Sequence, residues 1–325
     1  MKITLLGPIP RDHITTFKGE VIEKYGCITH PAIALSKLVG DTAEIIPVAH
    51  VHKVDEKSIK ALFAPYPNIN VNHITSEADQ GDVISLKFLD QNHREEKQLA
   101  FMDPILPRDV ESLLDSDFFV FLPITDFEVA LDTLKFIKAN SKGTIIFDAH
   151  GPTNTVTKTG DRYHRFWVDQ DQWLPYIDVL KMNLEEANCC LFKKEYTLEE
   201  LQTGDHEDES ELRALGIHCL NKGVKSVIIT LDERGCLVYY KEDGLIKEDF
   251  VPSIKVKQVI DTTGCGDSFA GGLAFGLMEE RNNYILAAQY GNALGAQRTQ
   301  GKTFEVFQSL DITKKMIERG SVYID

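Results

Sequence analysis

The 325-residue chain has no run of about 18 apolar residues, the minimum for a helix that crosses a bilayer. Its opening, Met1-Lys2-Ile3-Thr4-Leu5-Leu6-Gly7, is too short an apolar patch for a secretory leader and reads as a first strand. No membrane partner is expected. The six cysteines contain no C-x-x-C pair, and Cys189 and Cys190 are adjacent. That excludes a disulfide frame and a zinc site of ordinary spacing, and predicts free thiols in a reducing, cytoplasmic compartment. Basic residues are scarce. Against 50 Asp and Glu there are 35 Lys and Arg, a net charge of −15, the wrong balance for a nucleic-acid partner. Two glycine motifs are also missing. Gly264-Cys265-Gly266 lacks the third glycine of G-x-G-x-x-G, because position 269 is Phe269. Gly295 to Thr303 has five residues between its glycines where a P-loop has four, and it follows a helical pattern instead of a strand.

What is present is alternation. Hydrophobic residues make up 43% of the chain, enough for one large α/β domain or two. Strands are predicted at 2–6, 43–49, 118–122, 144–147, 179–182 and 226–231. Helices are predicted at 31–39, 57–63, 109–114, 127–140, 185–192 and 211–221, with further helices at 284–298 and 313–319. This order implies a parallel sheet covered on both faces, with ligands at the carboxyl ends of its strands. Two β segments interrupt it, His13 to Gly26 and a hairpin over Asp82 to Phe101. A further hairpin is expected at 236–240 and 245–250. The polar segment after Asp148 gathers Arg162, His164 and Arg165, as a solvated loop or as a site for an anionic group on a substrate. The acidic run 205–211 reads as a solvated loop before a helix.

One stretch carries the chemistry. Ile254 to Ile260 alternates like a strand, and Phe269 to Glu280 is small and apolar like a buried helix. Gly264 and Gly266 would then lie in a strand-to-helix turn whose unpartnered N–H groups form an anion site. Asp267 is out of place in a pure phosphate cradle. It is either a helix cap or a base that takes a hydroxyl proton while the N–H groups stabilise a phosphoryl group in transit. Together the two features point to phosphoryl transfer to an alcohol.

Asp261-Thr262-Thr263-Gly264-Cys265-Gly266-Asp267 resembles the D-T-x-G-A-G-D signature of the ribokinase-like (phosphofructokinase-B) carbohydrate kinase family, with Cys265 for alanine. The resemblance implies a three-layer αβα sandwich with a mostly parallel central sheet and a small β-sheet lid. Residues 1–11, 27–81 and 102–325 would form the core, and 12–26 and 82–101 the lid. It makes Asp267 the catalytic base and Gly264, Cys265 and Gly266 the anion hole. Asp12 matches the family's aspartate on sugar hydroxyls. Gly26 keeps one glycine of G-G-x-x-x-N, while Tyr25 replaces the other and His30 stands for the asparagine. Asn183 and Glu186 match N-x-x-E, whose glutamate positions magnesium, and they also form a capping box. Thr230 and Gly235 match a nucleotide-side motif in which Asp232 replaces a glycine, and Asn292 falls where a helix packs on adenine. Family members often use a monovalent cation, and Asp261 and Thr263 would be its ligands.

These matches imply an ATP-dependent kinase for a hydroxyl of a sugar or sugar-like molecule, using Mg2+, and the resemblance leaves open the use of K+ and a homodimer through the lid. A nucleoside kinase of the same fold, and a non-catalytic metabolite-binding regulator, remain as alternatives.

Overall fold

The computed structural model describes residues 1–16, 18–89, 94–191 and 208–323. The first strands are β1 (Lys2–Leu6), β2 (Arg11–Thr15), β3 (Val21–Tyr25), β4 (Glu44–His50) and β5 (Ile74–Thr75). They are followed by β6 (Val83–Phe88), β7 (Arg94–Ala100), β8 (Phe118–Phe121), β9 (Thr144–Asp148) and β10 (Asn154–Val156). The last are β11 (Arg162–His164), β12 (Val179–Asn183), β13 (Ser226–Thr230), β14 (Gly235–Glu242) and β15 (Leu245–Pro252). The longer helices are α1 (Thr29–Val39), α2 (Lys53–Phe63), α3 (Leu131–Asn140) and α4 (Leu184–Cys190). After them come α5 (Glu209–Asn221), α6 (Cys265–Glu279), α7 (Tyr284–Arg298) and α8 (Leu310–Arg319).

The main sheet runs β15-β14-β13-β12-β9-β8-β1-β4-β5. It is parallel from β13 to β5, and the hairpin β14–β15 closes one edge antiparallel. Its strands are apolar on both faces because each face is covered. Phe118 and Val120 pack into one buried cluster with α1, α6 and α7, while Phe119 and Phe121 pack into the other with α3 and α5. Residues on alternate faces of one strand thus enter separate cores, which makes three layers. Each such side chain contributes about 1.5–3 kcal/mol on burial. A second sheet, β3-β2-β6-β7, stands apart from the first. Ile14, Ile84 and Leu86 form its own small buried cluster, so one of its faces is apolar and turned inward.

Several boundaries differ from expectation. Residues 254–260 form no strand. Only a single bridge, Lys255 to Ser321, is made, and Val259 and Ile260 are half exposed. Pro252 ends β15 and the alternating residues beyond it have no neighbouring strand to pair with, so alternation alone does not make a strand. Helix α6 begins at Cys265, four residues earlier than expected, so the glycine turn is itself the first helical turn. Helix α1 begins at Thr29, and His30 lies inside its first turn. The expected helix at 127–140 begins only at Leu131, because Val129 is drawn into an extended bridge with Ile105. Residue 192 of one predicted helix, loop residues 90–93 and residues 205–207 lie outside the described residues.

Helix α6 is held close to α7. A Cβ added to Gly276 would stand 2.4 Å from the Ala287 Cα, so only a glycine admits this approach. That contact fixes the axis of the helix whose N-terminus carries the signature.

Candidate active site

A cavity of about 370 Å³ opens at the carboxyl ends of the parallel strands, under the small sheet. Its floor holds Thr262, Thr263, Gly264, Gly266 and Asp267. Asp12 of β2, Ile84 and Leu86 of β6 and Glu96 of β7 face it from the small sheet. The strand ends supply Asp148, His150, Lys181 and Asn183, and Glu186 follows in α4.

The turn is built by its backbone. Gly264 caps α6 with φ +82, a left-handed conformation that L side chains disfavour. A Cβ there would also lie 2.3 Å from the His30 Cδ2. The Cys265 N–H donates to the Thr262 carbonyl at 3.1 Å, which closes the turn. Cys265 does not line the cavity, so its expected place in the anion hole is corrected: its amide is spent inside the turn. Gly264 and Gly266 do line it. The amides of Gly266 and Asp267 belong to a first turn, where no preceding helical carbonyl reaches them. Helix polarity favours an anion at this end.

Asp267 is the third residue of α6. Burial pushes its carboxyl above the usual carboxylate range, while Lys181 and His150 pull the other way. Cys27 has φ +47, and its Sγ lies 3.9 Å from the Asp267 Oδ1 and donates to the Leu122 carbonyl at 3.2 Å.

Lys181 is the residue that sequence reasoning passed over. Its side chain is 4% exposed, and its ammonium lies 2.8 Å from Asp148 Oδ2 and 4.0 Å from Glu186 Oε2. It would also lie 3.1 Å from a Cβ on Gly266. Burial alone would lower its pKa, but Asp148 and Glu186 outweigh burial and hold it charged. Glu186 accepts from the Asn183 N–H at 2.8 Å and pairs with His150 Nδ1 at 2.9 Å. Burial opposes its ionisation, yet Lys181 and His150 bring it down to about 2. Asp148 is pushed by burial up to about 6, against the pull of Lys181. The only sequence signal for Lys181 was a charge inside the apolar run Val179-Leu180-Lys181-Met182.

The other expected residues separate into those at the cavity and those away from it. Asp12 is buried and lines the cavity. Gly26 makes room for it, since a Cβ there would be 2.8 Å from Asp12 Oδ2. His30 does not reach the cavity. It is 1% exposed behind Gly264, with Nδ1 accepting from Arg298 Nε at 3.1 Å. Asn183 caps α4 and lines the cavity, so the capping and site roles coincide. Thr230 sits beside Asn183 in strand register, with Oγ1 donating to the Met182 carbonyl at 3.5 Å. Gly235 opens β14, and Asp232 has φ +51, the left-handed conformation that suits the glycine it replaces. Asn292 is buried, and its amide donates to the Val251 and Pro252 carbonyls at 3.2 and 3.1 Å. That ties α7 to β15 and uses the amide nitrogen within the fold. Of the basic loop, only Arg162 lines the cavity, bonded to Gln98 and to the Ile124 carbonyl and paired with Glu96. His164 pairs with Glu185, and Arg165 with Asp126.

The implied metals can be tested against these residues. Glu186 and Asn183 face the cavity, and among the described residues no three His, Cys, Asp or Glu cluster as a metal cage. That donor set suits magnesium, which keeps waters and takes phosphate oxygens. Asp261 does not suit a bare monovalent cation. Its Oδ2 already holds Arg298 Nη2 at 2.8 Å and Lys24 Nζ at 3.1 Å.

Residues 142–303 match the family described as pfkB family carbohydrate kinase. A 101-residue stretch is 36% identical to 2-dehydro-3-deoxygluconokinase of Bacillus subtilis, covering 31% of this chain and 28% of that protein. A 53-residue stretch is 51% identical to inositol 3-kinase of Arabidopsis thaliana, covering 16% and 14%. The matched segments thus span less than a third of these two curated relatives. A solved pyrophosphate-dependent kinase in the ribokinase family, complexed with a pyrophosphate analog and myo-inositol, superposes with a TM-score of 0.70. It is 19% identical, and the match covers 94% of this chain and 98% of that one, a likeness of fold. The chain belongs to the pfkB family of carbohydrate kinases, through its residues 142–303, and its fold is ribokinase-like.

Proposed function

We propose that this chain transfers the terminal phosphoryl group of ATP to a hydroxyl of a neutral sugar or polyol. The observation that carries the reading is Asp267 on the floor of the same cavity that Asp12 faces from the small sheet. Asp267 takes the hydroxyl proton, and its raised pKa strengthens it as a base. The first-turn amides of α6 and the Lys181 ammonium stabilise charge on the phosphoryl group as it moves. Asn183 and Glu186 would hold magnesium brought with the donor, and the ion would supply charge neutralisation at the phosphates. Asp12 and Glu96 accept hydrogen bonds from the acceptor's hydroxyl groups. Thr230 and Gly235 belong to the donor side.

A polyhydroxy acceptor is favoured over a nucleoside. None of the described residues lining the cavity is Phe, Tyr or Trp, and its one imidazole, His150, is tied to Glu186 at 2.9 Å, so a broad aromatic platform for a base is lacking among them. A dimer through the small sheet has less support, because its strands carry His13, Glu23, Ser85, Lys87, Glu95 and Lys97 among their residues.

The test is phosphate transfer from magnesium-ATP, and in parallel from pyrophosphate, to a panel of sugars, inositols, sugar acids and nucleosides. Turnover on a neutral polyol with ATP supports the reading. Turnover confined to nucleosides or acidic sugars, or to pyrophosphate as donor, contradicts it.

A further inference from the structure

The turn that carries Gly264 is held from behind by cations that belong to the chain. Arg298 is the last residue of α7 and is 1% exposed. Its Nη2 donates to Asp261 Oδ2 at 2.8 Å, its Nη1 to the Gly301 carbonyl at 2.5 Å and its Nε to His30 Nδ1 at 3.1 Å. Each of the three guanidinium nitrogens is therefore bonded. Burial, aided by Arg298 and Lys24, keeps His30 neutral, so its Nδ1 has a lone pair to offer. The same imidazole lies directly under Gly264. Lys24, from β3 of the small sheet, brings a second cation to Asp261 Oδ2 at 3.1 Å. The other oxygen of Asp261 accepts the Thr263 N–H at 2.9 Å. Burial opposes ionisation of Asp261, but Lys24, the Thr263 amide and Arg298 hold it firmly charged.

A monovalent metal ion needs several oxygen ligands and no cation in contact with it. Here Asp261 Oδ2 and the Gly301 carbonyl are both directed at Arg298. An ion beside Asp261 would also face two fixed positive charges. The same three groups link Asp261, His30 and the glycine turn into one rigid unit, which is what an ion at this place would otherwise do.

We propose that Arg298, assisted by Lys24, is a built-in cation that positions the Thr262–Gly266 turn, so that this chain takes no potassium or other monovalent ion there. The inference rests on reading that turn as the phosphoryl site. Arg298 is a positioning residue, since it reaches the reacting groups only through Asp261 and His30.

The experiment compares potassium, sodium, caesium and choline chloride at fixed ionic strength, on the native protein and on Arg298→Gln. Two readouts are taken, the melting temperature and the split of kcat from KM. The native protein should melt and turn over alike in all four salts. Arg298→Gln should lose about 10²-fold in kcat, the usual penalty for a misplaced site, with KM for the acceptor little changed. Added guanidinium or potassium should restore part of that loss. A potassium-specific rise in native melting temperature or turnover overturns the proposal. So does a folded Arg298→Gln protein with native kcat in choline chloride. If no donor and acceptor pair gives turnover, the kinase reading fails, and the native melting series still decides whether the ion is bound.

Discussion

Replacing Lys181 by methionine keeps the length of the side chain and removes the one ammonium shared by Asp148 and Glu186. Both carboxylates are then buried with that partner gone, at 4% and 1% exposure. Breaking a buried pair from one side costs about 3–5 kcal/mol. On a chain of this length that is a fall of roughly 4–7 °C in melting temperature. The cost depends on pH. Asp148 titrates at about 6 with Lys181 in place, above an unfolded carboxylate near ~3.9. Without Lys181 its folded pKa rises further. A group whose folded pKa is raised contributes fully below its unfolded pKa, and that contribution is lost progressively as pH rises through the folded pKa. At pH 5 the variant therefore holds Asp148 protonated and avoids the buried charge. The gap between native and variant should be larger at pH 8 than at pH 5 by the Asp148 share alone, because Lys181 holds Glu186 ionised at both values. Thermal unfolding followed by circular dichroism at the two pH values measures it. An equal fall at both values, or none at either, would refute this account of the Lys181 cluster.

Other substitutions separate site from scaffold. Gly264→Ala should abolish turnover and lower the melting temperature, since it meets both a left-handed φ of +82 and the His30 ring at 2.3 Å; an active, stable variant would show that the turn is looser than described. Asn292→Ala should cost about 1–3 kcal/mol of stability by removing its hydrogen bonds to the Val251 and Pro252 carbonyls, with KM for ATP unchanged. Urea titration and donor kinetics on one preparation check both halves. The pH profile of kcat/KM should fall on the acid side with a midpoint above the ordinary carboxylate range, because Asp267 acts deprotonated and burial raises its pKa.

Local backbone chemistry was legible in the sequence. Gly264, Gly266 and Asp267 lie within one turn, and their spacing fixes that turn whatever surrounds it. The parallel sheet was equally legible, because strands such as Phe118–Phe121 are apolar at every position and must be buried on both faces. Ile254–Ile260 misled because alternation records which residues tolerate burial, and a strand also needs a neighbour. The electrostatic frame was hidden for a different reason. Lys24 meets Asp261 across 237 residues, and Arg298 meets His30 across 268. Each looks ordinary in its own segment, Arg298 as a basic residue in the last turn of a helix and Lys24 as a polar strand residue. The sequence motif named Asp261 as a ligand, and only the fold shows that the chain supplies the cation.

The central claim is that Asp267 removes the acceptor proton. Asp267→Asn keeps the size of the side chain and removes the base. Phosphate transfer by the variant, measured under saturating donor and acceptor, should fall by roughly 10²–10⁴-fold, with KM for the acceptor close to native and an unchanged fold by circular dichroism. A folded variant with native kcat would contradict the account, and Asp267 would then be no more than a residue of the first helical turn.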